Sequence, residues 1–153
     1  MRAPSQPGEC VRQVDRQALV PFSAQQMFDL VDDVAGYPAF LPWCRQATVH
    51  ERTAAEVVAT LQIHKGALHT RFTTRNSLDP PGSIRLALVE GPFKALAGEW
   101  KFEPIADKGS RVSLSLRFAF ANPLNAWILE PVFEHTCATL VDAFVKRART
   151  VYA

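Results

Sequence analysis

No apolar run in this 153-residue chain approaches the ~18 residues needed to cross a bilayer. Residues 1–10 lack the roughly 7–15-residue apolar stretch of a secretory signal and read, with their two prolines and one glycine, as a loose tail. Cysteine is scarce: Cys10, Cys44 and Cys137 are odd in number and far apart, which points to free thiols in a reducing compartment rather than a disulfide framework. The four histidines, His50, His64, His69 and His135, show no ligand spacing, so no metal site is expected. There is no glycine-rich phosphate loop, no G-x-S-x-G elbow and no internal repeat. An excess of one charge is missing too. Seventeen Lys+Arg against 15 Asp+Glu leave a net charge of +2, which argues against a dedicated nucleic-acid binder but leaves room for a local basic patch.

What the chain has in abundance is large apolar side chains. Hydrophobic residues make up 48% of it, including ten Phe, three Trp and two Tyr, which excludes disorder and asks where so much aromatic bulk goes. Residues 12–20 read as a first strand of low regularity. Ser23 and Gln26 form the capping box of a helix, with Phe22 and Met27 as its hydrophobic staple and Gly36 as its expected stop. The stretch Tyr37-Pro-Ala-Phe-Leu-Pro-Trp-Cys44 holds two prolines and should be short and irregular.

From about 45 to 121 the period is two. Val112, Leu114, Leu116, Phe118 and Phe120 alternate with Arg111, Ser113, Ser115, Arg117 and Ala119, and four earlier segments do likewise. Turn signals at Lys65-Gly66, Asp79-Pro-Pro-Gly82, Gly91-Pro92 and Asp107-Lys-Gly109 separate them, so an antiparallel meander with one dry face is expected. Leu129, Phe133, Cys137, Leu140, Phe144 and Ala148 then follow helical spacing, with Glu130, Glu134 and Asp142 assigned to polar faces and Pro131 expected to kink the helix. The fold class is therefore α+β: about six or seven strands curved around one long C-terminal helix. The kinked helix start, the 37–44 segment and a Gly91–Gly98 loop are expected to border the space left between sheet and helix.

The 37–44 stretch and Gly91-Pro-Phe-Lys-Ala-Leu-Ala-Gly-Glu-Trp-Lys-Phe102 carry a resemblance. From about Val14 to Tyr152 the chain resembles the coenzyme Q-binding protein family of the START-like, or polyketide cyclase-like, superfamily, whose bacterial members include ribosome association toxins. Arg71-Phe-Thr-Thr-Arg-Asn76 and Val141-Asp-Ala-Phe144 also look like that family. The resemblance implies a helix-grip fold with a single START-like lipid-binding domain over 12–153 and a tail over 1–11. It implies an apolar cavity that binds ubiquinone or a related isoprenoid lipid, with no other cofactor.

On that reading Tyr37, Phe40, Leu41, Trp43, Phe93, Leu96, Trp100, Phe118 and Trp127 are the candidate ligand-binding residues. Phe93 and Leu96 would sit on a lid hinged at Gly91 and Gly98, and Trp100, Thr70 and Thr74 would be weak donors to a quinone head. No clear inward strand position carries a carboxylate or histidine, so a catalytic site is not expected and a cyclase is the third-ranked reading. The leading expectation is a monomeric quinone chaperone or carrier supporting respiration. The alternative is a ribosome-associating toxin that meets the large subunit and blocks subunit association through Arg71, Arg75, Arg85, Arg111 and Arg117, with Lys101, on the outer sheet face. The expected compartment is the cytoplasm, with transient contact at the inner-membrane surface as a secondary expectation.

Overall fold

A computed structural model describes residues 11–152; the tail expectation and Cys10 lie almost wholly outside them. Seven strands, β1 (Arg12–Val20), β2 (Cys44–Arg52), β3 (Glu56–Lys65), β4 (Leu68–Asp79), β5 (Ser83–Glu90), β6 (Phe93–Pro104) and β7 (Ser110–Phe120), form one antiparallel sheet. Their order is β1-β7-β6-β5-β4-β3-β2, so every neighbour pair but one is consecutive in the chain. The exception is β1, which pairs along its whole length with β7, from Arg12 opposite Phe118 to Val20 opposite Ser110. The first strand is thus regular. Its weak alternation reflects an outer face where Leu19 stands exposed among Gln13, Asp15 and Gln17.

Register shifts at Cys44/Gln46 and Val49/Glu51 in β2, Thr73/Thr74 in β4 and Phe93/Ala95 in β6 bend the sheet. Its concave face wraps α1 (Ala24–Asp32), α2 (Pro123–Ala138) and α3 (Leu140–Tyr152). The α1 capping box forms as the sequence requires: Gln26 N–H donates to Ser23 Oγ at 3.0 Å and Ser23 N–H donates to Gln26 Oε1 at 2.9 Å. Gly36 is not the stop. The helix ends at Asp32, and Gly36 lies within a 3-10 helix, Val34–Ala39, that also takes in Pro38.

The C-terminal helix breaks elsewhere than expected. One helical segment runs through Pro131, and the interruption falls at Thr139. Two threonines account for the position: Thr136 Oγ1 donates to the Val132 carbonyl at 2.8 Å and Thr139 Oγ1 to the Thr136 carbonyl at 2.7 Å. Such back-bonding competes with the helix ladder and bends it. Nor is there a Gly91–Gly98 loop. Residues 93–98 are strand, paired with Phe120–Leu116, and Phe93 and Leu96 are buried in it, which removes the hinged lid. A Cβ at Gly98 would stand 2.6 Å from Leu116 Cδ1 and 2.9 Å from Ser115 O, so this glycine serves close packing between β6 and β7.

Much of the aromatic bulk fills one end of the core. Phe93 stacks on Phe120 at 4.6 Å between ring centroids, Phe118 meets Phe133 edge-on at 4.7 Å, and Phe72 meets Phe93 at 5.3 Å. Burying five such rings contributes on the order of 1.5–3 kcal/mol each. Glu130 is the exception within this apolar end. Assigned to a polar face by its charge, it is buried, with Oε2 accepting the Phe120 N–H and Oε1 accepting from the Arg12 guanidinium.

Candidate functional site: an apolar cavity under the helices and a polar outer face

Beyond the phenylalanine cluster, the concave face and the helices enclose a cavity of about 90 Å³. Strand parity aims Leu61, Ile63, Leu86 and Leu116 into it, and α2 and α3 close it with Phe133, Cys137, Leu140 and Phe144. The 3-10 helix delivers Tyr37, whose hydroxyl donates to the Val31 carbonyl, and the chain that follows delivers Leu41 and Trp43. Phe144 is the hub of the wall, with Tyr37, Phe40 and Trp100 packed edge-on at 5.3, 5.1 and 5.3 Å.

Of the nine apolar residues singled out in the sequence, Tyr37, Leu41, Trp43, Leu96 and Trp100 line this cavity. Four do not. Phe93 and Phe118 belong to the aromatic end of the core. Phe40 packs behind the wall, capped by the Arg147 guanidinium 5.1 Å above its ring. Trp127 points outward at 72% exposure, because the helix continues through Pro131 instead of folding its first turns over the cavity.

The polar content of the cavity is small. Thr74 Oγ1 donates to Asn76 Oδ1 at 2.8 Å, and both residues face the interior. Asn76 was readable: 68, 70, 72, 74 and 76 share one parity, and only its polarity hid it. Thr70 is buried with its hydroxyl unpartnered, on the same strand face but outside the lining. The ionisable groups of the lining are Tyr37 and Cys137, and burial pushes both well above their ordinary values. Both therefore stay protonated and uncharged near neutrality, so the lining offers no charged acid or base. Cys44, packed beside the cavity with its thiol toward the Gln46 carbonyl, is pushed up to about 11 by burial. No group of three or more His, Cys, Asp or Glu among the described residues could hold a metal ion.

The convex face is polar, and its cations are not equivalent. Arg75 pairs with Glu56 at 3.1 Å, Arg85 with Glu99 at 3.6 Å and Arg111 with Glu103 at 3.9 Å. The register makes Arg85 opposite Glu99 and Glu103 opposite Arg111, so half of the expected patch is neutralised strand against strand. Arg71, Lys101 and Arg117 have no ion pair among the described residues.

A family model for polyketide cyclase / dehydrase and lipid transport matches residues 20–145. The chain belongs to this family. Within it, the chain is 44% identical over 139 residues to a ribosome association toxin of Pseudomonas aeruginosa, covering 91% of this chain and 96% of that one. It is 28% identical over 138 residues to the mitochondrial coenzyme Q-binding protein of Drosophila melanogaster, covering 88% of this chain and 57% of the other. Among solved structures, the Zhui aromatase/cyclase of Streptomyces superposes with a TM-score of 0.80 at 20% identity, covering 92% of this chain and 94% of that one. That likeness establishes the shared helix-grip architecture. No helix among the described residues is long and apolar enough to cross a membrane.

Proposed function

We propose that this protein associates with the ribosome, meeting the large subunit and hindering subunit joining. The observation that carries the reading is the 44% identity, spanning nine-tenths of both chains, to a ribosome association toxin. The cavity weighs the same way. Its volume of about 90 Å³ is below the ~150 Å³ that admits benzene and well below the ~300–1,000 Å³ of ordinary ligand pockets. A long prenyl chain requires the helices to move apart first. Sucrose-gradient centrifugation of purified protein with separated subunits tests the proposal. Cosedimentation with the large subunit and reduced formation of joined ribosomes are expected; protein left at the top of the gradient in low salt overturns it.

A second reading has its own observation. An apolar enclosure with a single Thr74–Asn76 polar pair suits an apolar ligand bearing one polar group, ubiquinone or a related isoprenoid lipid included. On this reading the cavity binds rather than transforms its ligand, since its lining supplies no charged acid or base. Mass spectrometry of organic extracts from protein made in a quinone-producing host is the test, and extracts free of quinone and lipid count against it.

A further inference from the structure

The convex face carries a feature distinct from its scattered arginines. Where β2, β3 and β4 run side by side, their outward positions form a grid: Gln46, Thr48 and His50, then Thr60 and Gln62, then Arg71 and Thr73. The register places Gln46 opposite Gln62, Thr48 opposite Thr60, Gln62 opposite Arg71 and Thr60 opposite Thr73. The grid borders a groove of about 560 Å³. Its side chains are tied to one another: His50 Nε2 and Thr60 Oγ1 are 2.7 Å apart, and the Thr60 and Thr73 hydroxyls share a hydrogen bond. At the hairpin end, Gln62 reaches His64, and the His64 and His69 rings, on directly opposed residues, lie 4.3 Å apart with their planes tilted by 31°. The groove holds one carboxylate, Glu90, and one cation, Arg71.

We propose that this grid is a binding site for single-stranded RNA, deepening the ribosome reading and resting on it for where such RNA is met. Single-stranded RNA offers 2′-hydroxyls and base edges that pair with neutral donors and acceptors, and base faces that stack on planar rings. Thr, Gln and His on a rigid three-strand platform supply the first, and the exposed His69 ring beside His64 supplies the second. Duplex RNA, held largely through phosphates and 2′-hydroxyls across its minor groove, finds few cations here. A protein partner would want an apolar centre, which the groove lacks: Phe72 borders it, but its ring is buried against Phe93 and Phe133 on the concave side.

The site makes a quantitative demand. One phosphate contact, at Arg71, gives a slope of log affinity against log salt of about −0.7 on single strands, whereas six cations spread across the sheet give about −4. The probe is a fluorescein-labelled single-stranded RNA of mixed sequence, read by anisotropy over a salt series alongside the same sequence as duplex RNA and as single-stranded DNA. Gradient cosedimentation with large subunits is run in parallel. The variants are R71A/Q62A and, as a control on the same face, R85A/R111A, with circular dichroism melts of each to establish folding.

The expected result is preference for the single-stranded RNA, a slope of about −0.7, about tenfold or greater weakening in R71A/Q62A and little change in R85A/R111A. A slope near −4 with loss in R85A/R111A overturns the groove in favour of a diffuse basic face. Unchanged cosedimentation of R71A/Q62A overturns the groove and leaves the ribosome reading standing. Cosedimentation lost in R71A/Q62A without any RNA binding by wild type assigns the surface to a ribosomal protein and overturns the RNA site. Absence of cosedimentation by the wild type overturns the ribosome reading itself, and the anisotropy series then decides the groove alone.

Discussion

The backbone N–H of Phe120 donates to the carboxylate of Glu130 at 2.9 Å, joining the last strand to the helix that follows it. The other carboxylate oxygen accepts from Arg12 at 3.3 Å, so one buried side chain fastens β1, β7 and α2 together. Replacing it by alanine leaves a buried N–H without its acceptor. Glu130→Ala should lower stability by about 1.5–3 kcal/mol, or roughly 2–4 °C of melting temperature per kcal/mol in a chain of this size. Glu130→Gln keeps an acceptor for Phe120 and should cost less. Equal melting temperatures for Glu130→Ala and wild type in a thermal melt sink this account.

Two tryptophans should behave in opposite ways. Trp100 is 3% exposed, stacked on Phe102 and edge-on to Phe144, whereas Trp127 is 72% exposed. Trp100→Ala is expected to cost about 3–5 kcal/mol in urea unfolding, and Trp127→Ser to stay within about 0.5 kcal/mol of wild type. Acrylamide quenching supplies a second readout, since the Trp127→Ser protein should lose the most accessible part of the fluorescence.

Gly109 tolerates no side chain. Its φ is +126°, and a Cβ there would stand 1.9 Å from the Val20 carbonyl oxygen at the end of β1. Gly109→Ala should destabilise by ~3 kcal/mol or more, because backbone rather than a flexible side chain must give way. Gly66, whose φ is +59° but whose Cβ would meet nothing within 4 Å, is the matched comparison. Gly66→Ala should carry conformational strain alone, about 1–2 kcal/mol. Comparable losses in the two variants contradict the steric argument.

Burial of Cys44 gives stability a dependence on alkaline pH. Its thiol, ordinarily near 9, is pushed up to about 11 in the folded protein. Below pH 9 folded and unfolded chains both keep the proton, and the group has no effect on stability. Between pH 9 and 11 the unfolded chain releases it while the fold retains it, so stability falls by about 1.4 kcal/mol per pH unit from this group. Urea midpoints measured across that window should drop less steeply for Cys44→Ala, and parallel slopes in the two proteins rule the mechanism out.

Local periodicity made most of the fold legible. Val112 through Phe120 alternate without a break, and all five residues of the apolar set are buried on β7. The Ser23–Gln26 capping box was equally plain, since its chemistry lies within four residues. The misreadings came where the deciding partner is far away in sequence. Glu130 lies three residues before Phe133 and seven before Cys137, on the inward stripe, yet its charge argued for water until the Phe120 N–H and Arg12 were brought to it. Gly98 looked like a hinge because nothing local shows that Leu116 and Ser115 crowd it. Arg85 and Glu99 lie fourteen residues apart in the chain, and their pairing follows only from the β5–β6 register. The same limit applies to the cavity, whose walls come from nine elements but whose size depends on how far the helices settle into the sheet.

The single non-consecutive pairing, β1 with β7, bears on how the chain is made. A nascent β1 emerges with no partner and waits until five further strands have been synthesised before β7 arrives to hold it. Loop-closure entropy has to be overcome before any contact rewards it. Until then Val14 and Val20, fully buried in the finished sheet, stand open to water or to a neighbouring chain. The β2–β6 meander can begin to form as it leaves the ribosome, but closure is delayed until the last strand, and the Glu130 fastening later still. The completed fold is therefore reached only when synthesis is nearly over, and truncation before Ser110 removes the one strand that pairs with β1.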